Sequence, residues 1–230
     1  MKITDILILC SLIITGCEEK INSKYSWKRT YPCSAQIMDF VDASKKQIGR
    51  EKEKITEYIK NIENIVNQNF QKVSLPTILE LLLKDDLVIN CGDPRENKFI
   101  ATWNGVITLN NSYHQKLTKY YFDHKQILTP ELELDKDFIN TLSADDFEDV
   151  YDATYMTYFA LADMAETLVH EATHAGFQDY GFPHSHSEST DDIFYEYDPF
   201  YKYGQAAKKA IWEKFKEEVG KIPKNLPEIE

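Results

Sequence analysis

Positive charge is the first thing this sequence has little of. Its 26 lysines and arginines face 38 aspartates and glutamates, for a formal net charge of −12. So acidic a chain is a poor partner for phosphate backbones and anionic headgroups, which excludes nucleic acid or an anionic lipid surface as the substrate. Long apolar runs are also scarce. The one near the start, Ile6 to Ile14, is too short to cross a bilayer, and no later stretch is long and apolar enough. Cysteine is sparse, with four in 230 residues. Breakers are missing where they matter most: from Asp152 to Gln178 there is no proline, and no glycine before Gly176, so nothing there stops a helix.

What the chain does contain begins at its N-terminus. Lys2 followed by the run from Ile6 to Ile14 has the make-up of a signal peptide, residues 1–16. The run ends Ile14-Thr15-Gly16-Cys17, which resembles a bacterial lipobox. Cys17 is then the expected lipidation site, and the mature chain is expected to be anchored to a membrane of the cell envelope rather than to pass through it. Residues 17–33 are polar with isolated aromatics and read as a tether. Cys10 leaves with the signal peptide, so Cys33 and Cys91 remain in an exported, oxidising setting. A disulfide between them is expected, with a long loop worth about 4 kcal/mol in the chain-entropy model.

Residues 34–222 suit a single domain, with 223–230 as a loose tail. Its first part, 34–86, is helical: Ile48, Ile55, Ile59, Ile62, Val66 and Phe70 form one apolar stripe, Gly49 is a candidate break, and Leu75 to Leu83 is a second short helix. Leu87 to Cys91 reads as a strand, and Gly92-Asp93-Pro94 as a turn. Phe99 to Trp103, then Asn104-Gly105, then Val106 to Leu109, is a strong hairpin signal. Tyr113 to Leu128 is expected to be helical. Ser143 to Asp146 resembles a capping box, opening a helix able to run on through Asp152 to Gln178. In that helix Tyr155, Tyr158, Phe159, Ala162, Ala165, Val169 and Ala172 recur at helical spacing as the inward face. A final helix covers Phe200 to Val219, with Asp198-Pro199 as its cap and first turn. The fold expected is α+β, with a small mixed or antiparallel sheet beside a long helix and additional N-terminal helices.

The long helix carries His170-Glu171-Ala172-Thr173-His174, the pattern H-E-x-x-H. Two histidines four apart lie on one helical face, where their imidazoles can grip a single metal ion, Zn²⁺ best of all. Glu171 sits roughly 100° round the helix from His170, placed to take a proton from water. The histidines share a polar stripe with Asp163, Glu166 and Thr167, apart from the apolar face. His114 and His124 carry no motif and are expected at the surface.

A catalytic zinc takes three protein ligands and leaves one position open. The pattern H-E-x-x-H-x-x-G-x-x-H fails, because Phe177 and Tyr180 stand at its glycine and last histidine. Glu188 and Asp192 have the E-x-x-x-D spacing but lie close behind His174. The chain resembles the zincin metallopeptidases, and among them the aspzincin group, which includes deuterolysins and lysine-specific metallo-endopeptidases. The likeness covers Gly105 to Leu109, Thr167 to His174, and a later segment of the form G-T-x-D-x-x-Y-G. Two stretches match that segment in part. Thr190 to Tyr195 keeps T-x-D-x-x-Y without either glycine. Asp198 to Ala207 keeps the Asp, the Tyr-Gly and the following helix, with two extra residues between. The resemblance implies a zincin-like fold and an aspartate as third ligand, Asp198 ahead of Asp192. It also implies a tyrosine, Tyr203 or Tyr201, as stabiliser of the transition state. His184, His186, Glu188 and Glu196 stay open as alternative ligands.

The expected function is therefore zinc-dependent hydrolysis of peptide bonds in a peptide or protein substrate, with Glu171 as general base. Two other classes remain. One is a non-catalytic lipoprotein that binds a partner through an acidic, tyrosine-rich face. The other is a metal-binding or metal-delivery lipoprotein using His184 and His186.

Overall fold

The computed structural model describes residues 27–63, 75–84, 87–94, 100–103, 105–129, 131, 133–143, 146–179 and 199–221. The expected signal peptide and Cys17 lie outside these residues. So does 180–198, with His184, His186, Glu188, Asp192, Glu196 and Asp198.

The chain is α+β. A four-stranded mixed sheet has the order β1-β2-β4-β3. Strand β1, Trp27–Pro32, pairs antiparallel with β2, Ile89–Pro94. β2 pairs in parallel with β4, Ile107–Asn110, and β3, Ala101–Trp103, closes the far edge antiparallel to β4. The β3–β4 pair is the hairpin expected at Asn104-Gly105, and Gly105 takes φ 72°, the left-handed conformation such a turn requires.

The expected tether gives way at Trp27, because Trp27–Pro32 is an edge strand of the domain. The expected turn at Gly92-Asp93-Pro94 is likewise part of β2. One cause explains both: β1 supplies backbone partners for β2 as far as Pro94, so that stretch stays extended. The Cys33–Cys91 disulfide ties the end of β1 to β2, with Cα atoms 4.8 Å apart.

The helices pack on and beside this sheet. Helix α1, Ala35–Arg50, starts at Ser34, whose hydroxyl accepts from the Ile37 N–H. It ends beside Gly49, and α2, Lys52–Glu63, follows. Ile37, Phe40, Val41 and Ile48 of α1, with Ile55 and Ile59 of α2, are buried. Helix α3, Leu75–Leu83, adds Ile78, Leu79 and Leu82. Helix α4, Asn111–His124, is capped by the Asn110 side chain, which accepts from the Tyr113 N–H. The short helix α5 spans Lys136–Ile139.

Helix α6, Asp146–Asp179, is the axis of the molecule. It begins as the capping box foresees, with the Asp146 carboxylate accepting from both the N–H and the hydroxyl of Ser143. Neighbours α1, α3, α4, β3 and the last helix, α7, Pro199–Val219, all pack on it. Leu161, Ala162, Met164, Ala165, Leu168, Val169 and Ala172 are completely buried. Small alanines let neighbouring backbones approach, and the leucines and valine supply apolar area worth roughly 1.5–3 kcal/mol each. Tyr155 departs from the expected inward face and is 39% exposed. Its ring instead joins Phe159, Trp212 and Phe215 in a cluster between α6 and α7.

His114 is not at the surface but fully buried. It shares the inner stripe of α4 with Leu117, Thr118 and Tyr121, the spacing that faces a core. Its Nδ1 lies 2.8 Å from the Asn110 carbonyl, and its Nε2 has no partner among the described residues. Burial pushes the imidazole down to about 4, against smaller opposing effects from Asn110 and Asp163.

Candidate metal centre

The H-E-x-x-H motif sits in the last third of α6, on unbroken helix. The Nε2 atoms of His170 and His174 are 3.3 Å apart. Two zinc–nitrogen bonds of the usual length, spread at a tetrahedral angle, set their nitrogens about 3.3 Å apart as well. The imidazole pair therefore has the spacing of two of the four donors a tetrahedral zinc takes.

Glu171 is 5% exposed. Its Oε2 is buried with no hydrogen-bond partner among the described residues. Burial pushes its pKa up to about 8, because a carboxylate out of water and without a cation favours its neutral form. A buried, unsatisfied carboxyl costs stability, and Glu171 carries that cost in the same helical turn as the two histidines.

Helix α7 lies along the motif's stripe, antiparallel to α6. Phe200, near its start, stacks on the His174 ring, with centroids 4.1 Å apart and planes at 16°. The Tyr201 ring lies 5.0 Å from that of His170. One turn on, a Cβ on Gly204 would stand 2.8 Å from the Glu166 carbonyl oxygen and 3.4 Å from the His170 Cβ. One more turn on, Lys208 Nζ is 2.7 Å from both Asp163 Oδ1 and Glu166 Oε2. Burial works against the ammonium, yet its two carboxylate partners outweigh that and raise its pKa. Asp163 also accepts from the Tyr113 hydroxyl at 2.6 Å, and burial and that bond raise the tyrosine's pKa. The stripe of Asp163, Glu166, His170 and His174 is thus polar, as the sequence indicates, and α7 packs along it, burying His174 and leaving the other three partly exposed.

The structure brings together His170, His174, Tyr201 and Phe200. Tyr203 is 2% exposed and lies, like Phe200, in the main core cluster. Among the described residues no group of three or more His, Cys, Asp or Glu side chains could hold a metal ion. The open third-ligand positions all fall in 180–198, outside the description.

Sequence reasoning missed Phe200, Gly204 and Lys208. One signal was available. Gly204 stands inside a 21-residue helix, where glycine costs about 1 kcal/mol relative to alanine, and such a glycine points to close packing. Phe200, Gly204 and Lys208 are spaced at four-residue intervals, so one face of α7 carries all three.

The edge strand β3 packs against α6. No described helix is long and apolar enough to cross a membrane. In comparisons with known proteins, no family model, curated protein or solved structure matches the chain.

Proposed function

We propose that the chain is a zinc metallopeptidase of the zincin type, carried on a bacterial envelope membrane by lipid at Cys17. The observation that carries this reading is the 3.3 Å separation of His170 Nε2 and His174 Nε2, matched to a tetrahedral zinc, with Glu171 buried in the same helical turn.

His170 and His174 would hold the ion, with Asp198 as third donor and Asp192 as the alternative. Zinc bound there would lower the pKa of its water to about 7, polarise the scissile carbonyl and favour the ionised form of Glu171. Glu171 then acts as general base. Its carboxylate takes the proton from the attacking water, holds it away from bulk solvent, and hands it to the departing amine. The Tyr201 hydroxyl, whose ring lies against His170, is the better candidate to donate to the developing oxyanion; Tyr203 is packed in the core. The edge strand β3 beside α6 offers backbone groups on which an extended peptide could add a strand.

The test is digestion of a general peptide library by purified protein, wild type and Glu171→Gln, each with zinc content measured. The expected result is zinc-dependent cleavage by the wild type, absent with chelator. A Glu171→Gln protein cleaving as fast as its parent would rule the mechanism out. A wild type that binds a partner protein equally well with and without metal, and cleaves nothing, would favour the binding-module reading.

A further inference from the structure

Helix α7 does more than cover the motif. Its contacts follow one register: Phe200 meets His174, Gly204 meets His170 and Glu166, and Lys208 meets Glu166 and Asp163. Each contact constrains a different freedom. The near-parallel stack of Phe200 restricts rotation of the His174 ring about its side-chain bonds. The missing side chain at Gly204 lets the two backbones close at the level of His170. The two ion pairs of Lys208 resist sliding of one helix along the other, since a shift of one residue would break both.

We propose that α7 is the positioning arm of the site, and that Phe200 is its key positioning residue. It sets the His174 imidazole at the zinc bite distance from His170 before any metal arrives. This rests on the proposed function, because it concerns the same two ligands. Its physical content is preorganisation. An imidazole already held in place loses little rotamer freedom when it takes a metal, whereas a free one must be ordered at the cost of affinity. Groups that orient metal ligands from behind typically change affinity about 10- to 100-fold when removed.

The experiment compares apparent zinc dissociation constants by chelator competition for wild type, Phe200→Leu, Phe200→Tyr and Phe215→Leu. Each apo protein is first checked for folding by circular dichroism. Phe215 lies near the other end of α7, buried in the aromatic cluster away from the histidines, so its variant measures what loss of packing alone does. Phe200→Leu is expected to weaken zinc binding about 10-fold or more, Phe200→Tyr to restore it, and Phe215→Leu to lower the melting temperature with unchanged zinc affinity. A second readout needs no metal. In the apo protein the ring current of Phe200 displaces the His174 Cε1–H proton resonance upfield, and Phe200→Leu should remove that displacement. Equal zinc affinity in folded Phe200→Leu and wild type overturns the positioning role. So does an equal loss in Phe215→Leu. A wild type with no affinity for zinc overturns the proposed function itself, a different result from a variant that matches its parent.

Discussion

Two histidine environments in this molecule can be set side by side. His114 and the His170–His174 pair are all largely buried, all on helices that pack against the core, and all flanked by aromatic rings. His114 spends one nitrogen on the carbonyl a turn behind it, and its other nitrogen faces no partner among the described residues. The motif histidines turn their Nε2 atoms toward each other. Burial therefore does not mark a functional histidine. What sets the motif pair apart is the approach of two nitrogens to each other, next to a carboxyl oxygen with no partner among the described residues, and the proposed function rests on that difference.

The sharpest way to break this comparison is to remove one convergent nitrogen. His170→Ala or His174→Ala should lose stoichiometric zinc, measured by metal analysis after gel filtration, because the remaining donors hold the ion poorly. Asp198→Ala should follow them and Asp192→Ala should not; the reverse result would reassign the third ligand. Next comes Glu171→Gln, which should retain zinc and lose about 10²- to 10⁴-fold in turnover, as removal of a general base does.

His114 should behave in the opposite sense: no effect on metal, and a pH-dependent effect on stability. Its folded pKa, about 4, lies below its usual 6.5, so the unfolded chain takes up the proton first. Stability is therefore lost as pH falls from about 6.5 toward 4, by about 2 kcal/mol between pH 8 and pH 5. Glu171 works the other way in the apo protein. Its folded pKa, about 8, lies above its usual 4.5, and its contribution is lost as pH rises through that interval. The His114 effect is therefore read as the difference between wild type and His114→Leu in urea unfolding at the two pH values. A difference that does not change with pH would mean that His114 is protonated, or paired, when folded.

The smallest expected change is that of His114→Leu on zinc affinity at neutral pH, which should be none.

Much of this was legible in the sequence because it is local. Two histidines four residues apart on a helix free of breakers need no tertiary information to converge, and Asn104-Gly105 announces its hairpin through backbone conformation alone. The N-terminal helices, the final helix and the cysteine pairing were readable on similar grounds. The misses are of a different kind. β1 could not be read because its partner, β2, lies 64 residues away at the Arg29–Asp93 contact, and a short polar strand is defined by that partner. His114 was misplaced because a lone histidine was weighed by its type, although its spacing to Leu117 and Tyr121 marks an inner face. Tyr155 follows the inward period of α6 but stays 39% exposed, its ring lying against Trp212 and Phe215 of α7. The packing of α7 along the histidine stripe depends on the register of two helices, which only Gly204 hinted at.

The most direct test of the central claim is the zinc content of wild type, His170→Ala and His114→Leu, prepared and measured together. The account predicts about one zinc per chain in wild type and His114→Leu and none retained in His170→Ala. Stoichiometric zinc retained by His170→Ala, or lost from His114→Leu, would contradict it.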